Sequence, residues 1–365
     1  MHSIIDVSSV IYGGHNGYDR RIRGFPVGGL RKLFGIINAG LSHSDFILCF
    51  DGASIIKKEL LPTYKAGRVP DYSVMAQIEL AKYLLTQCDM DFYLDDKYEA
   101  DDLIYSVCNE LLFVDRDDSI LIYTDDRDIA CCVTDQISIQ NVTSNGICLD
   151  KESYSKRVVS GRVIPYNSIL LWKIFHGDAS DNYRSLRIPG LTFESVANNV
   201  LGQIEPLIGD NGFTQLAFSD YDVFSIIADD YKENFSEVDV SKLKEQARIV
   251  FPYKLKLSTG TFDDYVRDYN SGTPIYSIIR KYLKVFGSGN FNRSKFDFYC
   301  TLLGLNRTKL NRSVDEDSVD AQEFFDLLSL RARELSSGEL AVRYSRTKRN
   351  ANSNKQTLSN MEIPL

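Results

Sequence analysis

The sequence predicts an α/β protein built on a mostly parallel sheet flanked by helices. Short apolar runs alternate with segments of helical period through the first half, the pattern of strands joined by covering helices. Three of those runs break off at aspartates, and beyond about residue 185 helix-like stretches dominate.

Ser3-Ile4-Ile5 reads as the first buried strand and ends at Asp6. Leu30, Leu33, Phe34, Ile37 and Leu41 then recur at helical spacing. Phe46-Ile47-Leu48-Cys49-Phe50 is a second strand, ending at Asp51. Met75, Ile78, Ala81, Tyr83, Leu84 and Leu85 mark a helix, with Met75 and Tyr83 expected in the core. Leu103, Ile104, Val107, Cys108 and Leu111 mark another, opening at Glu99-Ala100-Asp101-Asp102. Ile120-Leu121-Ile122-Tyr123 is a third strand, followed by Asp126 and Asp128. Ile137-Ser138-Ile139 and Ile147-Cys148-Leu149 flank a Thr143-Ser144-Asn145-Gly146 turn and read as a hairpin. A helix over about 167–176 ends at Gly177-Asp178, and the alternation from Ile249 to Leu257 suggests an extended strand. The last 30 residues, rich in Asn, Ser, Lys and Arg, are expected to be disordered. The division expected is a catalytic core over 1–182, a mainly helical region over 183–335 and a basic tail over 336–365.

Of the 365 residues 44% are hydrophobic and 25% charged, ordinary values for a soluble globular chain. No apolar run approaches a membrane span, and no secretory leader is expected. The seven cysteines include no CxxC pair. Cys49, Cys108 and Cys131 lie in apolar stretches, so reduced core thiols are expected rather than disulfides or a zinc site. The net charge of −8 is more than accounted for by nine clustered acids. Basic residues gather at Arg20, Arg21, Arg23, Arg31 and Lys32, at Lys57, Lys58, Lys65 and Arg68, and between Arg343 and Lys355. Global acidity therefore does not exclude a nucleic-acid partner.

The nine acids are Asp6, Asp51, Glu99, Asp101, Asp102, Asp126, Asp128, Asp178 and Asp181. Carboxylates at the ends of parallel strands converge on one crevice, where open α/β sheets bind ligands. Crowded carboxylates repel and tend to protonate unless cations neutralise them, and oxygen donors suit Mg²⁺ or Mn²⁺. Glu99 and Asp102, and Asp178 and Asp181, are three apart and share a face if helical. Asp126 and Asp128 can project together from an extended segment. Taken singly, Asp101 and Asp102 fit ordinary first-turn acids favoured by the helix dipole. Taken together, the nine read as a two-metal site that activates water and stabilises a leaving oxygen.

Six segments occur in one order: Ile5-Asp6; Phe50-Asp51-Gly52; Leu61-Pro62-Thr63-Tyr64-Lys65-Ala66-Gly67-Arg68; Glu99-Ala100-Asp101-Asp102; Thr124-Asp125-Asp126-Arg127-Asp128; and Gly177-Asp178-Ala179-Ser180-Asp181-Asn182. Over about residues 3–200 the chain resembles the flap endonuclease and 5′–3′ exonuclease family, as in the 5′-nuclease domain of bacterial DNA polymerase I and the stand-alone bacteriophage nucleases of RNase H type. The resemblance implies a PIN-like fold with a helical arch near 55–90, two Mg²⁺ or Mn²⁺ ions, and removal of RNA primers and flaps during replication. It assigns Asp6, Asp51, Glu99 and Asp101 to one ion, and Asp126, Asp128, Asp178 and Asp181 to the other, with Asp102 outside them. Lys65 and Arg68 match the pair that grips the scissile phosphate. DNA and RNA–DNA hybrids with 5′ ends or flaps are the implied substrates. Arg20, Arg21, Arg23, Lys57 and Lys58 are candidates for the phosphate backbone.

Departures begin after Asn182, where Tyr183-Arg184-Ser185-Leu186-Arg187 intervenes and the second glycine of the family's helix–turn–helix, near 183–201, is missing. Arg184 and Arg187 are the replacements expected for that duplex grip. The final ten residues are a candidate docking peptide for a sliding clamp or single-strand binding protein. A cytoplasmic monomer is expected, in a host cell if phage-encoded. The rival readings are a PIN-domain endoribonuclease and a catalytically silent structure-specific DNA-binding protein.

Overall fold

The computed structural model describes residues 2–41, 45–114, 119–143, 148–149, 158–159, 162–163, 169–190, 192–193, 236–250, 255, 264, 267–268, 270–272, 290–305 and 318–342. The chain opens with β1 (His2–Asp6), α1 (Val7–Gly17), the short hairpin β2 (Arg21–Ile22) and β3 (Phe25–Pro26), and α2 (Gly28–Gly40). Next come β4 (Asp45–Cys49), α3 (Ile55–Leu60), α4 (Tyr72–Gln87), β5 (Phe92–Tyr93), α5 (Ala100–Val114) and β6 (Ile120–Tyr123). A 3-10 turn over Asp128–Cys132 leads to β7 (Ile137–Gln140), β8 (Cys148–Leu149), β9 (Val158–Val159) and β10 (Arg162–Val163). Then follow α6 (Ile169–His176), β11 (Gly177–Asp178), β12 (Tyr183–Arg184), α7 (Glu237–Val250), α8 (Arg293–Leu302) and α9 (Val319–Ser337).

Six strands form one sheet in the order β5-β4-β1-β6-β7-β8. The first five run parallel, and β8 closes the edge antiparallel to β7. β1 sits where strand order reverses, with β4 and β5 on one side and β6 and β7 on the other. Both sheet faces are covered, which is why β1 and β4 read as unbroken apolar runs. Alternate residues of β1 feed opposite layers: Ile4 packs with Leu103, Ile104 and Ile122, and Ile5 with Ile11, Leu33 and Leu84. The predicted α/β architecture is the one observed. The five cysteines whose side chains are described (Cys49, Cys88, Cys108, Cys132 and Cys300) are buried. Among the described residues no helix is long and apolar enough to cross a membrane.

Several elements differ from the sequence reading. α1 follows Asp6 immediately, and Asp6 caps it by accepting a 3.0 Å hydrogen bond from the Ser9 N–H. α4, in the region expected to form the arch, buries Val74, Ala76, Gln77, Leu80, Ala81, Leu84 and Leu85 against the layer that contains α1 and α2. Tyr83 is exposed rather than core, and Met75 is half-buried. Ile249 and Val250 end α7 instead of starting a strand; residues 251–254, 256 and 257 lie outside the described set. α9 runs through Ser337, and residues 339–342 add a helical turn that buries Leu340, so order extends past residue 336. Residues 191 and 194–201 of the predicted helix–turn–helix, and residues 343–365, also lie outside the described set.

α8 and α9 belong to the same apolar layer as α2 and α4, rather than to a separate helical region. The Phe34 and Phe296 rings stack at 5.2 Å, and Phe324 and Leu328 are buried in that layer. Phe296→Ala should therefore destabilise the whole fold by about 3–5 kcal/mol, the usual cost of truncating a core phenylalanine. A single denaturation transition moved to lower denaturant checks this; loss of α8 alone, with the sheet unaffected, would contradict it.

Candidate active site

Strand ends and helix starts bring the acids to one edge of the sheet. Asp6 ends β1, Asp51 lies two residues beyond β4, and Asp126 three beyond β6. Gly52 makes the close approach that joins two of these segments: a Cβ there would lie 1.9 Å from the Asp95 carbonyl oxygen. The Gly52 N–H donates to the Tyr98 carbonyl at 3.0 Å, which sets Asp51 beside the start of α5. There the Ala100 N–H donates to Asp51 Oδ1 at 2.8 Å, so a helix N-terminus faces the carboxylate. Asp102 accepts from the Glu99 N–H at 2.9 Å. That cap leaves the Glu99 side chain free to enter the crevice.

Glu99 is the hub. Its carboxylate accepts from Ser54 Oγ at 2.6 Å, Lys57 Nζ at 3.0 Å, Tyr64 Oη at 2.7 Å and Lys65 Nζ at 2.6 Å. Burial works to raise its pKa, but the Lys57 and Lys65 ammonium groups overcome that and hold it well below the usual range. Lys57 also reaches Asp101 at 3.3 Å and Asp102 at 3.7 Å. Burial disfavours its charge, and the three carboxylates more than compensate. Lys57 is thus no surface cation for DNA, as its place in a basic run suggested: it is 2% exposed and serves as an internal counter-ion. Lys58, by contrast, is exposed.

Breaking a buried ion pair from one side strands the other charge and costs roughly 3–5 kcal/mol. Lys57→Met should lower stability by about that amount, and millimolar Mg²⁺ should restore part of it by neutralising Glu99 and Asp101. Thermal melts with and without Mg²⁺ read both effects.

The Tyr64–Arg68 segment docks on the turn after β11. The Lys65 N–H donates to the Asp181 carbonyl at 3.0 Å, and Arg68 reaches the Ser180 carbonyl at 3.1 Å and Asp181 Oδ1 at 2.5 Å. Lys65 holds a left-handed φ of 52°, sparsely populated by residues with a Cβ, and this conformation accompanies the bond to Glu99. Asp178 and Asp181 lie on a tight hairpin between β11 and β12, not on a helix. Gly177 opens the hairpin at φ 72°, where a Cβ would lie 2.5 Å from the Ser185 N.

On the β6 side, Asp6 accepts from Thr124 Oγ1 at 2.8 Å, and Thr124 Oγ1 accepts from the Asp126 N–H at 3.0 Å. Asp126 in turn accepts from the Asp128 N–H, so these two acids form a turn rather than an extended pair. Lys173 bridges Asp128 at 2.6 Å and Asp178 at 2.7 Å. Burial and the Asp126 charge push the Asp128 carboxyl up to about 7 against Lys173's pull. Burial, then the charges of Asp51 and Asp126, also hold Asp6 well above the usual range.

These groups line a cavity of about 830 Å³. Seven of the nine acids face it: Asp6, Asp51, Glu99, Asp101, Asp126, Asp128 and Asp181. Asp102 caps α5 and Asp178 holds Lys173; neither is among the lining residues. Lys65 and Arg68 line the cavity; Arg20, Arg21, Arg23, Arg184 and Arg187 are exposed and do not. Sequence reading missed Lys57 and Lys173 as counter-ions, and Ser54, Tyr64 and Thr124 as hydrogen-bond partners. Tyr64 and Thr124, each inside a quoted motif, carried a signal.

Among the described residues no three His, Cys, Asp or Glu side chains converge closely enough to hold one ion as they stand. The carboxylates are held instead by lysines, hydroxyls and N–H groups. The donor chemistry nevertheless fits a hard cation: the acidic lining offers only carboxylate oxygens, with no thiol or imidazole. Asp128 Oδ1 is buried without a hydrogen-bond partner.

Fold and site together define a class: an open α/β protein with an acidic crevice at the carboxyl edge of its parallel sheet. Residues 1–159 match the 5′–3′ exonuclease N-terminal resolvase-like domain, in line with the resemblance that the sequence motifs carry. Among solved structures it is similar to the bacteriophage T5 5′-exonuclease with bound zinc, at 17% identity over 68% of this chain and 98% of that one, with a TM-score of 0.42. The T5 flap endonuclease in a pseudo-enzyme–product complex with DNA and metal ions matches at 17% identity, covering 67% and 98%, with a TM-score of 0.41. The catalytic core of Rad2 in complex with DNA substrate matches at 18% identity, covering 77% and 90%, with a TM-score of 0.38.

Proposed function

We propose that this chain is a divalent-metal-dependent, structure-specific 5′ nuclease that removes RNA primers and flaps from DNA in replication. The carrying observation is the cavity itself, which sets seven of the nine predicted carboxylates beside Lys65 and Arg68 at the switch point of the sheet. Asp6, Asp51, Glu99 and Asp101 are suited to hold one cation, and Asp126, Asp128 and Asp181 another. When bound, Mg²⁺ or Mn²⁺ supplies Lewis acidity that lowers the pKa of water and stabilises the departing oxygen.

The chain's own groups do the rest. Tyr64 and Ser54 fix the Glu99 carboxylate by hydrogen bonds. Lys65 and Arg68, paired with Glu99 and Asp181, would exchange a carboxylate partner for a phosphate oxygen of the incoming strand. A lysine point charge and an arginine fork both suit that oxygen. Asp178, through Lys173, steadies Asp128.

Digestion of 5′-labelled flap, nicked and RNA–DNA hybrid substrates with Mg²⁺, Mn²⁺ or EDTA tests the reading. Short 5′-labelled products that require the metal are expected. No cleavage of any substrate, or full turnover in EDTA, would contradict it.

A further inference from the structure

Five cationic side chains line the active-site cavity: Lys57, Lys65, Arg68, Lys82 and Lys173. Four are bonded to its carboxylates. Lys82, half-buried on α4, makes no salt bridge to a described carboxylate; its ammonium instead lies 5.2 Å from the centroid of the Phe50 ring, next to Asp51 in the chain. Met75, Ile78, Glu79 and Lys82 all face the cavity and follow helical spacing, so one strip of α4 forms part of its wall. Glu79 on that strip lies 3.9 Å from Arg331. Burial pulls the Lys82 ammonium below the usual lysine range although Asp96, Glu79 and Asp51 favour its charge. It has lost water without gaining a bonded anion.

We propose that Lys82 is a phosphate-binding subsite, taking a backbone phosphodiester of the nucleic acid on the α4 side of the cavity while Met75 and Ile78 give its sugar or base an apolar wall. Resting on the nuclease reading, this adds a second phosphate contact remote from Lys65 and Arg68 in sequence. Lys82 is a positioning residue: it holds the strand and does not act on the reacting phosphate. Its loss should therefore appear in binding and KM far more than in kcat.

The test compares Lys82→Met and Lys82→Arg on an Asp126→Asn parent with Mg²⁺, by fluorescence anisotropy of a labelled 5′-flap duplex over a salt series. Lys82→Met should weaken binding by on the order of tenfold, as for a lost hydrogen bond to a charged group. The slope of log K against log salt should flatten by about 0.7–0.9, one phosphate's worth. Lys82→Arg should keep both values, and on the active background Lys82→Met should raise KM with kcat within about twofold. Unchanged affinity and slope in Lys82→Met, with the parent binding normally, would overturn the subsite and leave the nuclease reading standing. A parent that binds no flap duplex would overturn both.

Discussion

Asp126→Asn is expected to lower the cleavage rate by well over about 10²-fold while leaving the fold intact. Even groups that only orient metal ligands are worth 10–100-fold, and a ligand itself should exceed that. Asp126 faces the cavity and is tied to both Asp6, through Thr124, and Asp128. Asparagine keeps the shape and one oxygen but removes the charge. It also removes one of the like charges that push Asp6 and Asp128 upward, so stability should hold or rise slightly. Single-turnover kinetics and a thermal melt check the two halves. A wild-type rate would take Asp126 out of the site, and an unfolded variant would make its role structural.

Lys65→Ala should slow the chemical step under single-turnover conditions by about 10²–10³-fold, the usual loss for one donor aimed at developing charge. Binding should weaken much less, because Lys65 leaves a carboxylate to meet the phosphate and its gain on binding is the difference between two anions. Removing it also frees Glu99 of one of its two lysines, so affinity for Mg²⁺ should not fall. An effect confined to affinity would place Lys65 in the general electrostatic footprint instead.

Much of the sheet was legible because β1 and β4 are apolar runs buried on both faces, β6 is an apolar run that alternates between buried and half-buried residues, and α2, α4 and α5 keep a clear helical period. α1 was not, since Ser8, Ser9, Gly13 and Gly14 dilute its apolar face and its cap, Asp6, already read as a strand end. The hairpin that carries Asp178 and Asp181 was read as a helix start because a spacing of three suits either geometry. Lys57 next to Lys58 looks like surface charge, yet α3 turns one inward and the other outward. Its partner, Glu99, is 42 residues away. No local spacing encodes such a pair; only the tertiary approach through Gly52 creates it.

The central claim is that these carboxylates hold divalent cations. Direct counting of bound Mn²⁺ by electron paramagnetic resonance, on the full chain and on Asp126→Asn, tests it without relying on turnover. The account predicts two Mn²⁺ per wild-type chain, displaced by Mg²⁺, with one site clearly weakened in Asp126→Asn. Wild-type protein that leaves Mn²⁺ free at millimolar concentration, or an Asp126→Asn variant that binds it equally well, would contradict the account.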